Sequence, residues 1–314
     1  MAVSTPAPPE ATPPAAARRL RRRRPARGQL LGWAYAAPTA LFVLVLFVLP
    51  TLLVLRMSVS DWSLFAGDRG VNFPGNFTDA VGDRLFWPAV RFTLTYTAVT
   101  TVILIALALG LAVLVQESSR WTSVLRTSFL LPSALGLASA SLLFYALYSP
   151  QASPVPGLLR LLGFDVGTIS FLGTPTSALV STVVLIVWRF AGFYMLLLLV
   201  GLQGIPNEVY EAARMDGARR WQIFWQITVP LLRSSLALCT ILCVTGSLLA
   251  FDQFYILTKG GPDNSTITLV QLVYNTAFGG KNDLGRAAAL SIIVLAALLV
   301  INVVQFRGLR GKED

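Results

Sequence analysis

Six apolar runs, each close to the length of a membrane span, decide which solvent this chain folds in: Tyr35–Leu55, Phe92–Val115, Ser128–Tyr148, Ala178–Leu202, Ser234–Phe251 and Ala287–Phe306. A bilayer core about 30 Å thick needs about 20 apolar residues of helix to cross it. Helices and closed barrels alone satisfy their backbone groups in lipid, and runs of this length fit helices. The expectation is an all-α membrane protein with six transmembrane helices. The fifth run is the shortest, and Thr228 to Leu232 extend it. Only 13% of the residues are charged, against about 25% in an average soluble domain. The two globular domains that 314 residues otherwise suggest are therefore not expected.

An even number of spans puts both termini on one side. The flanks sharing that side, among them Arg18 to Arg27, Arg214, Arg219, Arg220, Arg307 and Lys312, hold twice as many Lys and Arg as the opposite flanks. Basic residues mark the cytoplasm, so both termini are expected there. The net charge of +10 thus follows from topology, and nucleic acid is not an expected partner. Residues 1–29 are Pro/Ala-rich and then Arg-rich, unable to bury a core, and read as a disordered tail drawn to anionic membrane lipid. The run after it continues past about 15 residues with no small-residue cleavage site, which marks a retained anchor rather than a signal peptide. The organisation expected is this tail, a first span with its outer loop at 30–87, a core at 88–307, and a short cytoplasmic tail at 308–314.

The chain has no histidine and two cysteines. That removes Ser-His triads and most metal and general-base chemistry. Cys239 and Cys243 lie four apart on one helical face, where packing is the default and a disulfide is awkward. No G-x-x-x-x-G-K-[ST] phosphate loop occurs, so no nucleotide or other cofactor is expected on this chain. In the outer loops, Lys259-Gly260-Gly261-Pro262-Asp263-Asn264 is a turn signal, and Thr266 to Phe278 reads as a short amphipathic helix.

Between the fourth and fifth spans, residues 203–233 read QGIPNEVYEAARMDGARRWQIFWQITVPLLR. Pro206 suits a helix start and Asn207 a nearby cap. Glu208 and Glu211 sit in early turns where the dipole favours anions, and Ala212 and Ala213 permit close approach of another chain. Gly217 marks the stop, since the residue past a helix end usually adopts the left-handed conformation. A second helix, Arg219 to Gln226, turns Trp221, Phe224 and Trp225 toward the interface before Pro230. Two readings of this helix–turn–helix stand side by side: a connector that anchors the loop at the membrane surface, and a helix offered to a partner's groove.

Glu211-Ala212-Ala213-x-x-Asp216-Gly217-Ala218, followed by Phe224 and Ile227-Thr228-Val229-Pro230, resembles the EAA loop of binding-protein-dependent ABC importer permeases. Trp188-Arg189, Gly201-Leu202-Gln203-Gly204-Ile205-Pro206, Phe251-Asp252, Gly260-Gly261-Pro262, Tyr274-x-x-Ala277-Phe278 and Gly285-Arg286-Ala287-Ala288-Ala289 extend the similarity, which is greatest to the carbohydrate-uptake, maltose-type branch. Val229 departs from that pattern, which usually has leucine there. The resemblance implies the type I ABC importer permease fold in a bacterial cytoplasmic membrane, as a multi-pass, non-catalytic subunit. It further implies a second homologous permease, two ATP-binding subunits that carry ATP and magnesium, an extracytoplasmic solute-binding protein, and a sugar as substrate. The loop at 203–230 would couple to the ATPase through Glu211, Ala212, Ala213, Asp216 and Gly217.

Arg189 lies about 12 residues into the fourth span, near the bilayer midplane. A mid-membrane arginine needs a wet cavity or a partner; the alternative is a structural pair with an outer carboxylate such as Asp252. Phe193, one turn on, is expected to share its face. In the family, spans four and five line the translocation path, which nominates Arg189, Phe193, Ser247, Asp252 and Gln253. Two other readings stand beside the sugar importer: an anionic glycerol-phosphate-type solute carried by the same machinery, with Arg189 meeting a phosphate, and an ion-coupled secondary transporter. The latter typically needs a mid-membrane carboxylate or histidine relay. No span interior holds an acidic residue here.

Overall fold

The computed structural model describes residues 26–117, 119–149, 161, 170–280 and 282–310. The Pro/Ala/Arg-rich segment up to residue 25, most of the loop after Tyr148, Lys281 and the last four residues lie outside them. Two units divide at Leu52 and Leu53. The first holds α1 (Ala26–Val43), a π turn at Leu44–Val48 and the opening of α2 (Leu49–Ser58). Ala34–Ser58, which runs on past Leu52, is long and apolar enough to cross a membrane.

In the second unit the chain leaves α2 into an antiparallel hairpin, β1 (Ser60–Ser63) and β2 (Gly67–Val71), then α3 (Gly75–Val81). Gly67, where the turn enters β2, and Gly70, at an irregularity in the strand register, have positive φ. Asn76 on α3 donates its amide to the carbonyls of Ser58 and Ser60, at 3.0 and 2.8 Å, and so ties the hairpin down.

The expected third span is broken. The long helix α4 (Phe86–Leu114) is followed by α5 (Arg120–Leu130), which runs into a 3₁₀ turn at Leu131–Ala134 and then α6 (Leu137–Tyr148), bent by 94°. Pro132 in that turn and Gly136 before α6 permit the break. Arg126 of α5 donates to the carbonyls of Val115 and Gln116, placing a cation on the negative pole of α4.

α4 packs against α7 (Pro175–Gln203) over much of their lengths. Sequence dictates both ends of α7. The Thr174 hydroxyl accepts from the Ser177 amide at 3.1 Å, Ser177 reciprocates, and Pro175 opens the first turn; this is a capping box with proline where no amide is missed. Gly204 follows its last residue.

The loop after α7 holds α8 (Asn207–Met215) and two short turns, α9 (Arg220–Gln222) and α10 (Val229–Leu231). The expected fifth span differs from a straight helix as the third does: the segment Arg220–Leu231 meets α11 (Arg233–Leu248) at 68°. The described residues therefore hold four helices of spanning length and two bent pairs. Short helices α12 (Asp252–Leu257) and α13 (Leu269–Phe278) precede α14 (Leu284–Arg310). The core lies where α4, α7 and α11 meet, around Leu104, Leu185, Met195, Leu198 and Leu232. Phe254 of α12 sits edge-on to Phe92 and Tyr96, at 5.1 and 4.8 Å.

Candidate functional site

Two places in the second unit carry the residues singled out from sequence. The first is the loop led by α8. Pro206, in extended conformation, is the cap residue, and Asn207 is already helical with no capping bond from its side chain. The expectation that Asn207 caps the helix is thus corrected: Pro206 fixes φ one residue earlier, and that moves the helix start. Glu208 sits in the first turn.

At the other end Gly217 has φ +77°. Its amide donates to Arg214, and the Ala218 amide donates to Ala213, both at 3.0 Å. This pair of bonds is the Schellman closure, which needs the left-handed residue that glycine supplies. Ala213 is buried, whereas Glu211, Ala212, Asp216 and Gly217 are exposed, and Met215 beside them is 89% exposed. The second helix forms differently from the expectation of a plain helix to Gln226. It passes through a π turn at Ile223–Thr228 before Pro230, with Trp221 and Trp225 exposed and 6.1 Å apart.

The second place is a cavity of about 310 Å³ between α4, α6, α7, α11 and the start of α12. Phe193, Ser247, Asp252 and Gln253 all line it. Tyr96, Phe190, Tyr194 and Phe251, not nominated from sequence, line it too. Gln253 is 2% exposed, donates its amide to the Tyr96 hydroxyl at 3.2 Å, and its carbonyl oxygen has no partner among the described residues. A buried amide oxygen left unpaired costs free energy until a donor meets it.

Arg189 is not on the wall. Its guanidinium lies 4.3 Å over the ring of Phe190, which is. Its Nε is buried without a partner, and no carboxylate pairs with it among the described residues. Asp252 is exposed at the cavity's edge. The alternative of an Arg189–Asp252 ion pair is therefore corrected. A cation over an aromatic face offsets part of the desolvation instead.

Beyond the cavity, the loop after α12 is pinned. The Thr266 hydroxyl donates to the Gly261 carbonyl at 2.6 Å and lies 2.8 Å from the Thr258 hydroxyl. Thr268 donates to Ala250 at 2.7 Å, and the Leu269 amide donates to Thr93 at 3.0 Å. The expected helix from Thr266 begins at Leu269, capped by Thr268.

Residues 103–307 match the family described as "binding-protein-dependent transport system inner membrane component". The chain belongs to that family. The permease is 32% identical to the lactose transport system permease protein LacF of Rhizobium radiobacter over 289 residues, covering 90% of this chain and 95% of LacF. It is 32% identical over 287 residues to the sulfoquinovosyl glycerol transport system permease protein SmoG of Agrobacterium fabrum, covering 91% and 92%. Among solved structures, a bacterial ABC transporter involved in import of the acidic polysaccharide alginate superposes with a TM-score of 0.80 at 22% identity, over 92% of this chain and 98% of that one. The permease thus has the fold of an ABC importer's membrane subunit.

Proposed function

We propose that this permease is the membrane-spanning subunit of an ATP-driven sugar importer. Counting each bent helix pair as one crossing makes six spans with both termini in the cytoplasm of a bacterial cell. The observation that carries the reading is α8: a capped helix whose exposed face, Glu211, Ala212 and Met215, has no covering partner within this chain's described residues. An exposed methionine flanked by a small residue and a carboxylate is a surface for another protein. Since this chain has no phosphate loop, ATP and magnesium belong on a separate ATPase dimer that grips α8, and Gly217 fixes the angle at which α8 is presented. A second permease completes the cavity, and a solute-binding protein docks outside.

A neutral sugar is favoured over an anionic solute. The cavity wall offers rings, a serine hydroxyl, an unpaired amide oxygen and a carboxylate at the rim, while the nearby cation Arg189 stands off it over Phe190. Rings with a few placed polar groups suit pyranose faces and hydroxyls. Purifying the complex through a tag on this chain, then screening its binding protein against neutral sugars and glycerol phosphates, tests the assignment. Sugar binding with a co-purified ATPase is expected. Selective binding of phosphates overturns the substrate class, and a chain that purifies alone and active overturns the importer.

A further inference from the structure

Four aromatic rings form a continuous ladder leading from the cavity to the surface. Phe251 lines the cavity. It stacks on Tyr255 with centroids 5.1 Å apart and planes 21° from parallel. Tyr274 contacts both, at 5.2 Å from Phe251 and 5.1 Å from Tyr255. Phe278 extends the row 5.4 Å beyond Tyr274. Phe251 caps α12 and Tyr255 lies on it, the last two rings lie on α13, and each pair is four residues apart.

We infer that Phe251, Tyr255, Tyr274 and Phe278 form a carbohydrate subsite at the outer mouth of the cavity, where a pyranose ring is received before it passes inward. This rests on the sugar-importer reading above. Three observations separate the ladder from ordinary packing. Its outer rungs are open: Phe278 is 56% and Tyr255 39% exposed, whereas Phe254, on the same short helix as Tyr255, is fully buried against Phe92 and Tyr96. The ladder is also amphipathic. Tyr255 and Tyr274, with ring centroids 5.1 Å apart, each carry a hydroxyl, and a hydrogen bond with Tyr255 raises the Tyr274 phenol above its ordinary pKa. A surface meant only for lipid does not need these hydroxyls.

The third observation is rigidity. Thr268 and Leu269 fasten the segment joining the two helices to Ala250 and Thr93, which holds the rungs in register with the cavity wall. Aromatic faces carry negative potential. They attract the C–H face of a pyranose while the flanking hydroxyls and Asp252 take its polar edge, and a row of them lets a sugar change partners without leaving the surface.

The test uses the intact complex with its binding protein in proteoliposomes, with maltose, lactose, trehalose and methyl glucoside as the labelled panel. Tyr255→Leu and Tyr274→Leu remove a ring but keep apolar bulk. Each is expected to lower uptake about tenfold or more, while ATP hydrolysis stimulated by the loaded binding protein stays within about twofold, so that sugar moved per ATP falls. Tyr255→Phe, which restores the ring, restores that ratio. A native ratio in both leucine variants overturns the subsite. A proportional fall in uptake and hydrolysis also overturns it, since that marks a packing role. A native complex that hydrolyses ATP but moves no sugar of the panel fails the sugar reading itself, and the subsite with it.

Discussion

The Ala218 amide donates to the Ala213 carbonyl at 3.0 Å, across a glycine held at φ +77°. This one closure ends α8 and sets the direction in which the chain returns to the bundle. No atom lies within 4 Å of where a Cβ on Gly217 would stand, so the glycine is needed for its backbone conformation and not for space.

Gly217→Val is accordingly expected to insert and assemble while uncoupling ATP hydrolysis from uptake. A side chain in the left-handed region costs about 1–2 kcal/mol, more when β-branched, and that strain is relieved by opening the closure. Gly217→Asn, which tolerates this conformation, should retain most coupling. Uptake and ATPase rates measured on equal amounts of complex check both; normal uptake in the valine variant contradicts the role given to the turn.

Gly192 behaves in the opposite way. A Cβ there would stand 2.0 Å from the Phe129 carbonyl oxygen, because α7 meets the end of α5 backbone to backbone. Gly192→Ala should destabilise the chain by about 1–3 kcal/mol or more through overpacking. Gly110→Ala, with nothing within 4 Å, should not. Thermal unfolding of the detergent-solubilised chain compares the two.

Much of this architecture is legible in the sequence because span length and apolarity are local properties. α4, α7 and α14 announce themselves that way, and Gly217 announces its turn. The 94° bend between α5 and α6 is not legible. Pro132 and Gly136 permit it, but no local signal sets its angle, and the Phe129 backbone lies against Gly192 far along the chain. The cavity divides along the same line. The family resemblance nominates Phe193, Ser247, Asp252 and Gln253, and all four line the cavity. Tyr96 escapes sequence reasoning because its bond to Gln253 spans 157 positions. Helical spacing alone places Arg189 on Phe193's face, and only the packed structure shows its guanidinium over Phe190 instead.

A second long-range feature joins Asp83, just before α4, to Arg286, in the first turn of α14. The two are ion-paired with side chains only 13% exposed. Asp83 also accepts from the Leu85 amide at 2.7 Å. Arg286→Met removes a charge-assisted bond from a half-buried carboxylate, so it should cost about 1.5–3 kcal/mol. Denaturation or protease resistance of the purified complex measures it. A variant as stable as the native chain would show that the pair contributes nothing net.

For Arg189 the expectation follows from its missing carboxylate. With no ion pair to break among the described residues, Arg189→Met should insert and assemble in normal yield. Uptake should fall because Phe190 lines the cavity and loses the group that fixes it. Yield and uptake measured in one preparation decide the matter; collapse of both would mean that Arg189 has a structural partner in the assembled complex.

The central claim is that this chain moves sugar only when a separate ATPase acts on α8. Proteoliposomes carrying the full complex, the loaded binding protein and internal ATP should accumulate the sugar. The same vesicles with Glu211→Lys, or with this chain and its permease partner but no ATPase, should not, whatever proton or sodium gradient is imposed. Gradient-driven accumulation without the ATPase would contradict the account.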